Sequence, residues 1–184
     1  MHKSGVRILA VDDGPFEKGD RRVLVVGVIG RERVVEGLIS FRVEVDGTDA
    51  TSKLVRALNS SRFGSQIRLI CVHGITVGGL NILDLVTLHK KLGIPLIAIT
   101  RKKPHTSLLK RAIRASGKHS EEKLGLVDVV VKSASSRKLG IFYVQSIGAG
   151  SRELERFIGP SVELLRLAHI IASGVELGES RGRF

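Results

Sequence analysis

The sequence has very little cysteine and none of the common zinc-binding motifs. Its single cysteine, Cys71, lies inside a short apolar stretch, which favours a buried free thiol in a reducing compartment over a nucleophile. Neither C-x-x-C nor H-E-x-x-H occurs, so a zinc site is not supported. We therefore expect a cytoplasmic protein that forms a single domain over residues 1–184 without disulfides or a structural metal.

Aromatic residues and long apolar runs are also scarce. Six Phe, one Tyr and no Trp offer no obvious stacking platform for single-stranded nucleic acid. No run approaches the roughly 20 apolar residues of a membrane helix, so a membrane partner is not expected. The oligomeric state stays open, with a homo-oligomer among the alternatives.

Acidic residues are far outnumbered by basic ones. The chain has 30 Lys and Arg against 18 Asp and Glu, a formal charge of +12. Such an excess favours an anionic partner, and nucleic acid (DNA or RNA) is the first choice. Residues 101–123 hold eight basic and two acidic side chains, including Lys102 and Lys103. This segment is either a solvated face or a path for a phosphate backbone.

The hydrophobic pattern predicts an α/β domain with a mixed sheet of about five strands flanked by helices. Residues 6–11, 22–29 and 34–45 have strand composition, and the last shows strict period two, so we expect an antiparallel meander. Residues 67–72 and 95–100 enclose a glycine-rich turn and a helix, which predicts parallel strands. We place the first strand beside the fourth.

The other elements are assigned from shorter patterns. Further strands are predicted at 126–131 and 141–144, forming a peripheral hairpin around a loop at 132–138. The helices are predicted at about 50–62, 81–92, 106–116, 151–157 and 161–177, with Gly159-Pro160 separating the last two. We expect Asp49 to cap the first helix. Asn81 is expected to cap the second helix, with Asp84 at the capping-box position and Gly93 at its end.

Acidic residues follow the first strand, where α/β sheets usually bind ligands. Asp12 and Asp13 end this strand, and His73 ends the neighbouring fourth strand. Two-metal phosphodiester chemistry needs several carboxylates around Mg²⁺ or Mn²⁺, and Asp46 and Asp49 are candidates to join them. The alternative is that these aspartates form ordinary turns and caps.

The last helix has an apolar face that includes Val175 and a polar stripe that includes Arg166, His169 and Ser173. The stripe is either solvent-exposed or directs these side chains into a polar cleft. The residues predicted to bind nucleic acid or substrate come from several motifs. They are Asp49, Thr51, Gly74, Gly79, Asn81, Lys102, Lys103, Arg166 and His169.

Five motifs in order resemble one known family. They are ILAVDDGPF (8–16), VEVDGTDAT (43–51), HGITVGGLNILDL (73–85), LGIPLIAITRKKP (92–104) and LLRLAHIIASGVELGESRGRF (164–184). Together they look like an uncharacterised, mainly archaeal family related to endonuclease V. The resemblance implies a ribonuclease H-like fold of three layers.

Endonuclease V holds Mg²⁺ with three acidic residues, and only part of this set carries over. Asp12 matches the first acid, Val43 stands at the second with Glu44 adjacent, and His73 replaces the third. Predicted catalytic residues are Asp12 and Asp13; predicted metal ligands are Asp12, Asp46 and His73. Two functions follow: a nucleic-acid-binding protein without catalysis, or a Mg²⁺- or Mn²⁺-dependent endonuclease centred on Asp12. A small-molecule enzyme is a third class.

Overall fold

The computed structural model describes residues 5–32 and 34–180 of the chain. The strands of this part are β1 Ile8–Asp13, β2 Arg22–Arg31, β3 Val34–Glu44, β4 Leu69–His73, β5 Thr76–Val77, β6 Asn81–Ile82, β7 Leu96–Thr100, β8 Ser135–Leu139 and β9 Phe142–Ile147. The helices are α1 Ala50–Asn59, α2 Leu85–Leu92, α3 Thr106–Ser116, α4 Ser120–Ser133 and α5 Ser151–Leu177. The last four residues of the C-terminal motif lie outside the described residues.

Seven of the described strands form one mixed sheet in the order β3-β2-β1-β4-β7-β9-β8. The meander β1-β2-β3 is antiparallel, and β1, β4 and β7 are parallel, as predicted. The predicted sheet of about five strands is therefore present, and the hairpin β8-β9 extends it by antiparallel pairing of β9 with β7. This agrees with the α/β, ribonuclease H-like arrangement that the motifs imply.

The predicted strand at 126–131 is wrong, because this segment lies in α4. Its apolar run was too short for periodicity to separate strand from helix. In the structure Val127 and Val130 are buried, while Val129 and Val131 are exposed, which is helical spacing. The true partner of β9 is β8, which occupies the predicted loop at 132–138.

The predicted break at Gly159-Pro160 is also wrong, since α5 continues through Pro160. Buried residues on both sides of the proline, Leu154 and Leu164, hold the helix against the sheet. By length and composition α5 would qualify as a membrane span, contrary to the expectation from the apolar runs of the sequence. Its buried side packs on β1, β2 and β4, as in the core helix of a globular domain.

The sheet has an apolar core on each face, and successive residues of β1 point to opposite ones. Leu9 and Val11 join the core under α1, α2 and α4, whereas Ile8 and Ala10 join the core under α5. Cys71 lies in the α5 core as a buried free thiol, and burial raises its pKa, so the interpretation of an inert cysteine is supported.

Candidate functional site

The Asp12 carboxylate lies at the centre of a histidine cluster at the carboxyl edge of the sheet. Asp12 Oδ1 is 3.4 Å from His73 Nδ1, and Asp12 Oδ2 is 3.2 Å from His169 Nδ1. Asp12 ends β1 and His73 ends β4, and these strands pair in parallel, so their ends meet as predicted. His169 reaches the same carboxylate from the middle of α5. We call Asp12, His73 and His169 the Asp–His cluster.

The Asp12 side chain is buried, yet it stays anionic. Only 2% of Asp12 is exposed, and burial by itself raises the pKa of a carboxyl group. The hydrogen bonds from His169 and His73 and the charges of these imidazoles outweigh burial and hold the pKa of Asp12 below its ordinary value. A buried carboxylate of this kind fixes the orientation of an imidazole and stabilises its protonated form.

Asp13 faces the opposite side of the sheet, as the alternation along β1 requires. Its Oδ2 accepts a hydrogen bond of 2.8 Å from the backbone N–H of Gly78, in the hairpin β5-β6. Burial, and then the nearby charge of Asp12, raises the pKa of Asp13 to about 6. Asp13 thus holds the glycine-rich turn and does not join the Asp–His cluster.

Asp46 holds the same hairpin from the other side. Its Oδ1 accepts a hydrogen bond from Leu80 N–H, and its backbone N–H donates to Gly78 O. Lys123, which is fully buried, donates from Nζ to the backbone O of Asp46 at 2.6 Å, and burial lowers the pKa of this lysine. Gly79 has a φ of +81°, and an added Cβ would collide with Asp46 Oδ1. The close approach of Asp46 Oδ1 therefore explains why position 79 holds a glycine.

Asn81 and Asp49 form a buried clamp between α1 and β3. Asn81 Oδ1 accepts from Ala50 N–H at 3.1 Å, and its Nδ2 donates to Asp49 Oδ1 at 2.7 Å and to Glu44 O at 3.0 Å. The Asp49 carboxylate also accepts from Glu44 N–H and makes no cap bond to α1. Asp49 is the N-cap residue of α1, as predicted, but its carboxylate makes no capping bond, because its oxygens contact β3, Asn81 and Lys53 of α1.

The helix α2 is capped by Asp84, so the predicted cap at Asn81 is wrong. Asp84 Oδ1 accepts from Thr87 N–H at 2.9 Å, and Gly93 ends the helix with a φ of +65°, as expected. Thr51 Oγ1 accepts from Asp84 N–H at 2.9 Å and ties the start of α2 to α1. The contact of Thr51 is thus structural, and its predicted role in binding nucleic acid or substrate stays a prediction.

The described residues do not fit the Mg²⁺ or Mn²⁺ site that the resemblance implies. No group of three or more His, Cys, Asp or Glu side chains in this part of the chain could hold a metal ion. The predicted ligand Asp46 is directed at the hairpin, and Val43 is buried in the core with Glu44 exposed on the other face of β3.

The basic segment 101–123 divides into two parts. Arg101, Lys102 and Lys103 are exposed directly after β7, whose Ile99 pairs with His73. Further along, Lys118 donates to the backbone O of Val45, and Lys110 pairs with Asp128. The first part lies next to His73, whereas Lys118 lies at the same edge beside the end of β3. Gly74 lies at this edge too, and its N–H donates to Ile99 O.

Of the polar stripe of α5, one residue points into a polar cleft and another is exposed to solvent, so each of the two predicted alternatives applies in part. His169 points into the Asp–His cluster, whereas Arg166 stays exposed and pairs with Glu163 at 3.2 Å on the same helix. Ser173, which was placed in the stripe, is buried, and Val175, which was placed on the apolar face, is exposed. The helix is thus rotated slightly from the predicted orientation.

Comparison with known proteins identifies the family. A family model described as endonuclease dU matches residues 4–176. The chain belongs to the endonuclease dU family. A UPF0215 protein from Methanothermobacter thermautotrophicus is 35% identical over 188 residues, covering 98% of this chain and 92% of the relative. Another from Thermococcus sibiricus is 35% identical and covers 97% of this chain and 96% of the relative. These matches confirm the archaeal family that the motifs indicate.

A solved structure of a relative has the same fold. A protein of unknown function from Archaeoglobus fulgidus superposes with a TM-score of 0.83 at 31% identity, over 92% of this chain and 98% of that one. Endonuclease V of Ciona intestinalis, in complex with inosine-containing DNA, gives a TM-score of 0.46 at 8% identity. That overlap covers 77% of this chain and 71% of the other, and it transfers no residue roles.

Proposed function

We propose that this protein processes nucleic acid that contains deoxyuridine, with its chemistry centred on the Asp–His cluster. The observation that carries the proposal is the buried, anionic Asp12 in contact with His73 and His169. The cluster lies at the carboxyl edge of the parallel strands, where sheets of this class bind ligands. The description of the family as endonuclease dU supplies the substrate class.

The cluster has the groups that phosphodiester hydrolysis requires. In this reaction a water oxygen attacks phosphorus, the bond from phosphorus to one sugar oxygen breaks, and that oxygen takes up a proton. Asp12 orients both rings through their Nδ1 atoms. The His73 side chain is 41% exposed, whereas the Nε2 atom of His169 is buried, so His73 is the imidazole that reaches the substrate. His73 accepts the proton of the water and then donates it to the departing oxygen, while His169 positions Asp12.

The surface beside the cluster supports binding of a phosphate backbone. Arg101, Lys102 and Lys103 are exposed at the end of β7, next to the strand that carries His73. Lysine and arginine at such a position release counterions from nucleic acid and give affinity that falls with salt. A strand that follows these residues reaches the Asp–His cluster.

Cleavage of DNA with a single deoxyuridine, compared with the same DNA containing thymidine, tests the proposal. We expect Asp12→Asn to reduce the cleavage rate about 10³-fold or more, because the amide no longer stabilises a protonated imidazole. Asp13→Asn is the matched control and should change the rate less than about tenfold, since Asp13 holds the hairpin. Equal rates for wild type and Asp12→Asn would remove the cluster from the chemistry.

The same assay addresses the cofactor when it is run with Mg²⁺, with Mn²⁺ and with EDTA. Cleavage in EDTA is expected if His73 does the proton transfers alone. Cleavage that needs a divalent ion would mean that the substrate supplies ligands that the described residues lack.

A second candidate function is nucleic-acid binding without cleavage. It is favoured by the loss of acids at Val43 and His73, where the related nuclease holds its metal. Binding that weakens steeply with salt, without cleavage under any of these conditions, would select this candidate.

A further inference from the structure

A cavity of about 650 Å³ lies between the tip of the β8-β9 hairpin and α5. Its walls are apolar, with Leu139 and Phe142 from the hairpin and Ile158 and Val162 from α5. Ile141, at the tip, is 64% exposed. We call this space the hairpin cavity. These wall residues pack against the α5 core, so the cavity is on the same side of the sheet as Asp12.

The hairpin cavity is close to the Asp–His cluster. Thr100 pairs with Tyr143, so the tip of the hairpin projects beyond the carboxyl end of β7. β9, which carries Phe142, is three strands from β1, which corresponds to about 14 Å across the sheet. Val162 precedes His169 by about two helical turns, about 10 Å. A strand of roughly three or four stacked nucleotides spans this distance.

The charges around the cavity select what can enter it. Glu155 and Glu163 lie in the lining and repel a phosphate group. Arg101 also lines the cavity and leads to the exposed Lys102 and Lys103, which attract phosphates. An apolar space with carboxylate acceptors and a basic approach fits a neutral heteroaromatic ring whose phosphate stays outside.

We propose that the hairpin cavity holds one unstacked nucleobase of the strand whose phosphate lies at Asp12. The ring lies between Phe142 and the aliphatic side chains of α5, and Glu155 accepts a hydrogen bond from a ring or amino N–H. This inference rests on the proposed function, because it assumes that nucleic acid is bound at the same edge of the sheet.

Gly159 offers a way to fill the cavity without disturbing the fold. It lines the cavity inside α5, and a Cβ added there meets no atom within 4 Å. Gly159→Leu is therefore designed to extend a side chain into the cavity, and leucine also has the better helix propensity. The matched control is Gly125→Leu. Gly125 lies inside α4 on the opposite side of the sheet and is also in open space.

Binding is measured with a short deoxyuridine-containing single strand and with copies that carry one abasic residue at successive positions. We expect Gly159→Leu to weaken binding of the intact strand about tenfold, the loss expected for one stacked base. An abasic residue at the matching position should weaken wild type equally and leave Gly159→Leu unchanged. Gly125→Leu should bind as wild type does.

Three results would overturn the inference. If Gly159→Leu binds the intact strand as wild type does, the cavity holds no base, while the effect of Asp12→Asn on cleavage is untouched. If wild type binds no nucleic acid, the proposed function fails together with the inference. If Gly159→Leu changes only the oligomeric state, the cavity takes a second copy of the chain.

Discussion

Asp12 and Asp13 are neighbours in sequence but belong to different parts of the molecule. Asp12 faces α5, where His73 and His169 hold its pKa low. Asp13 faces the hairpin β5-β6, where burial raises its pKa to about 6 and Gly78 N–H is its partner. An acidic pair at the end of a strand is therefore not a pair of ligands for one ion, because alternation separates the two side chains.

The same division applies to the other polar residues at this edge. On the α5 side Asp12 and the Nε2 atom of His169 are buried, and His73 is the exposed member of the Asp–His cluster. On the hairpin side Asp46, Asp49, Asn81 and Lys123 bind backbone groups of β3 and the hairpin. The motif residues thus include the Asp–His cluster and a second group that holds the glycine-rich turn of the hairpin β5-β6.

The largest effect is expected from removing His169. His169→Ala should reduce cleavage by about 10²-fold or more, because Asp12 loses the buried partner that positions it beside His73. It should also move the acid limb of the pH–rate profile to higher pH, because His169 is the main group that lowers the pKa of Asp12. His105→Ala, at an exposed histidine before α3, is the control. An unchanged pH profile would show that His169 does not act through Asp12.

On the hairpin side, Asn81→Ala should damage stability rather than chemistry. The change removes one buried and two partly buried hydrogen bonds and should lower the free energy of unfolding by about 3 kcal/mol. Thr51→Ala, which loses a single bond to Asp84 N–H, should cost about 1 kcal/mol. Denaturant unfolding measures both. A loss for Asn81→Ala no larger than that for Thr51→Ala would contradict the clamp.

Asp13 should make the folded protein less stable as pH rises. Its pKa is about 6 when folded and near 3.8 when unfolded, so below about pH 3 the carboxyl group is neutral in both states. As pH rises from about 3 through 6, the unfolded state ionises first, and stability falls by at most about 3 kcal/mol. Asp13→Asn keeps an oxygen for Gly78 N–H and lacks this loss. Parallel stability–pH curves for the two proteins would show that Asp13 titrates normally.

The comparison also shows where sequence reasoning succeeds. The period-two pattern at 34–45 predicted β3 almost to the residue, and the strand order that followed placed His73 beside Asp12. The contact of His169 with Asp12 was not predicted. Which residue of a helical stripe faces the sheet depends on a rotation set by packing, as the burial of Ser173 shows. The roles of Asp46 and Asn81 depend on contacts across the chain that no local pattern encodes.

The smallest effect is expected from two lysines of the same basic segment. Lys102 is exposed beside the Asp–His cluster, whereas Lys118 donates to Val45 O on the hairpin side. If nucleic acid follows the α5 side, Lys102→Ala should weaken binding a few-fold and reduce the slope of log K against log salt by about 0.7–0.9, the value for one phosphate contact. Lys118→Ala should leave the slope unchanged. Equal slopes for the two variants would mean that the phosphate backbone of the nucleic acid does not pass the end of β7. The α5 side and the hairpin side would then not differ in how their basic residues bind nucleic acid.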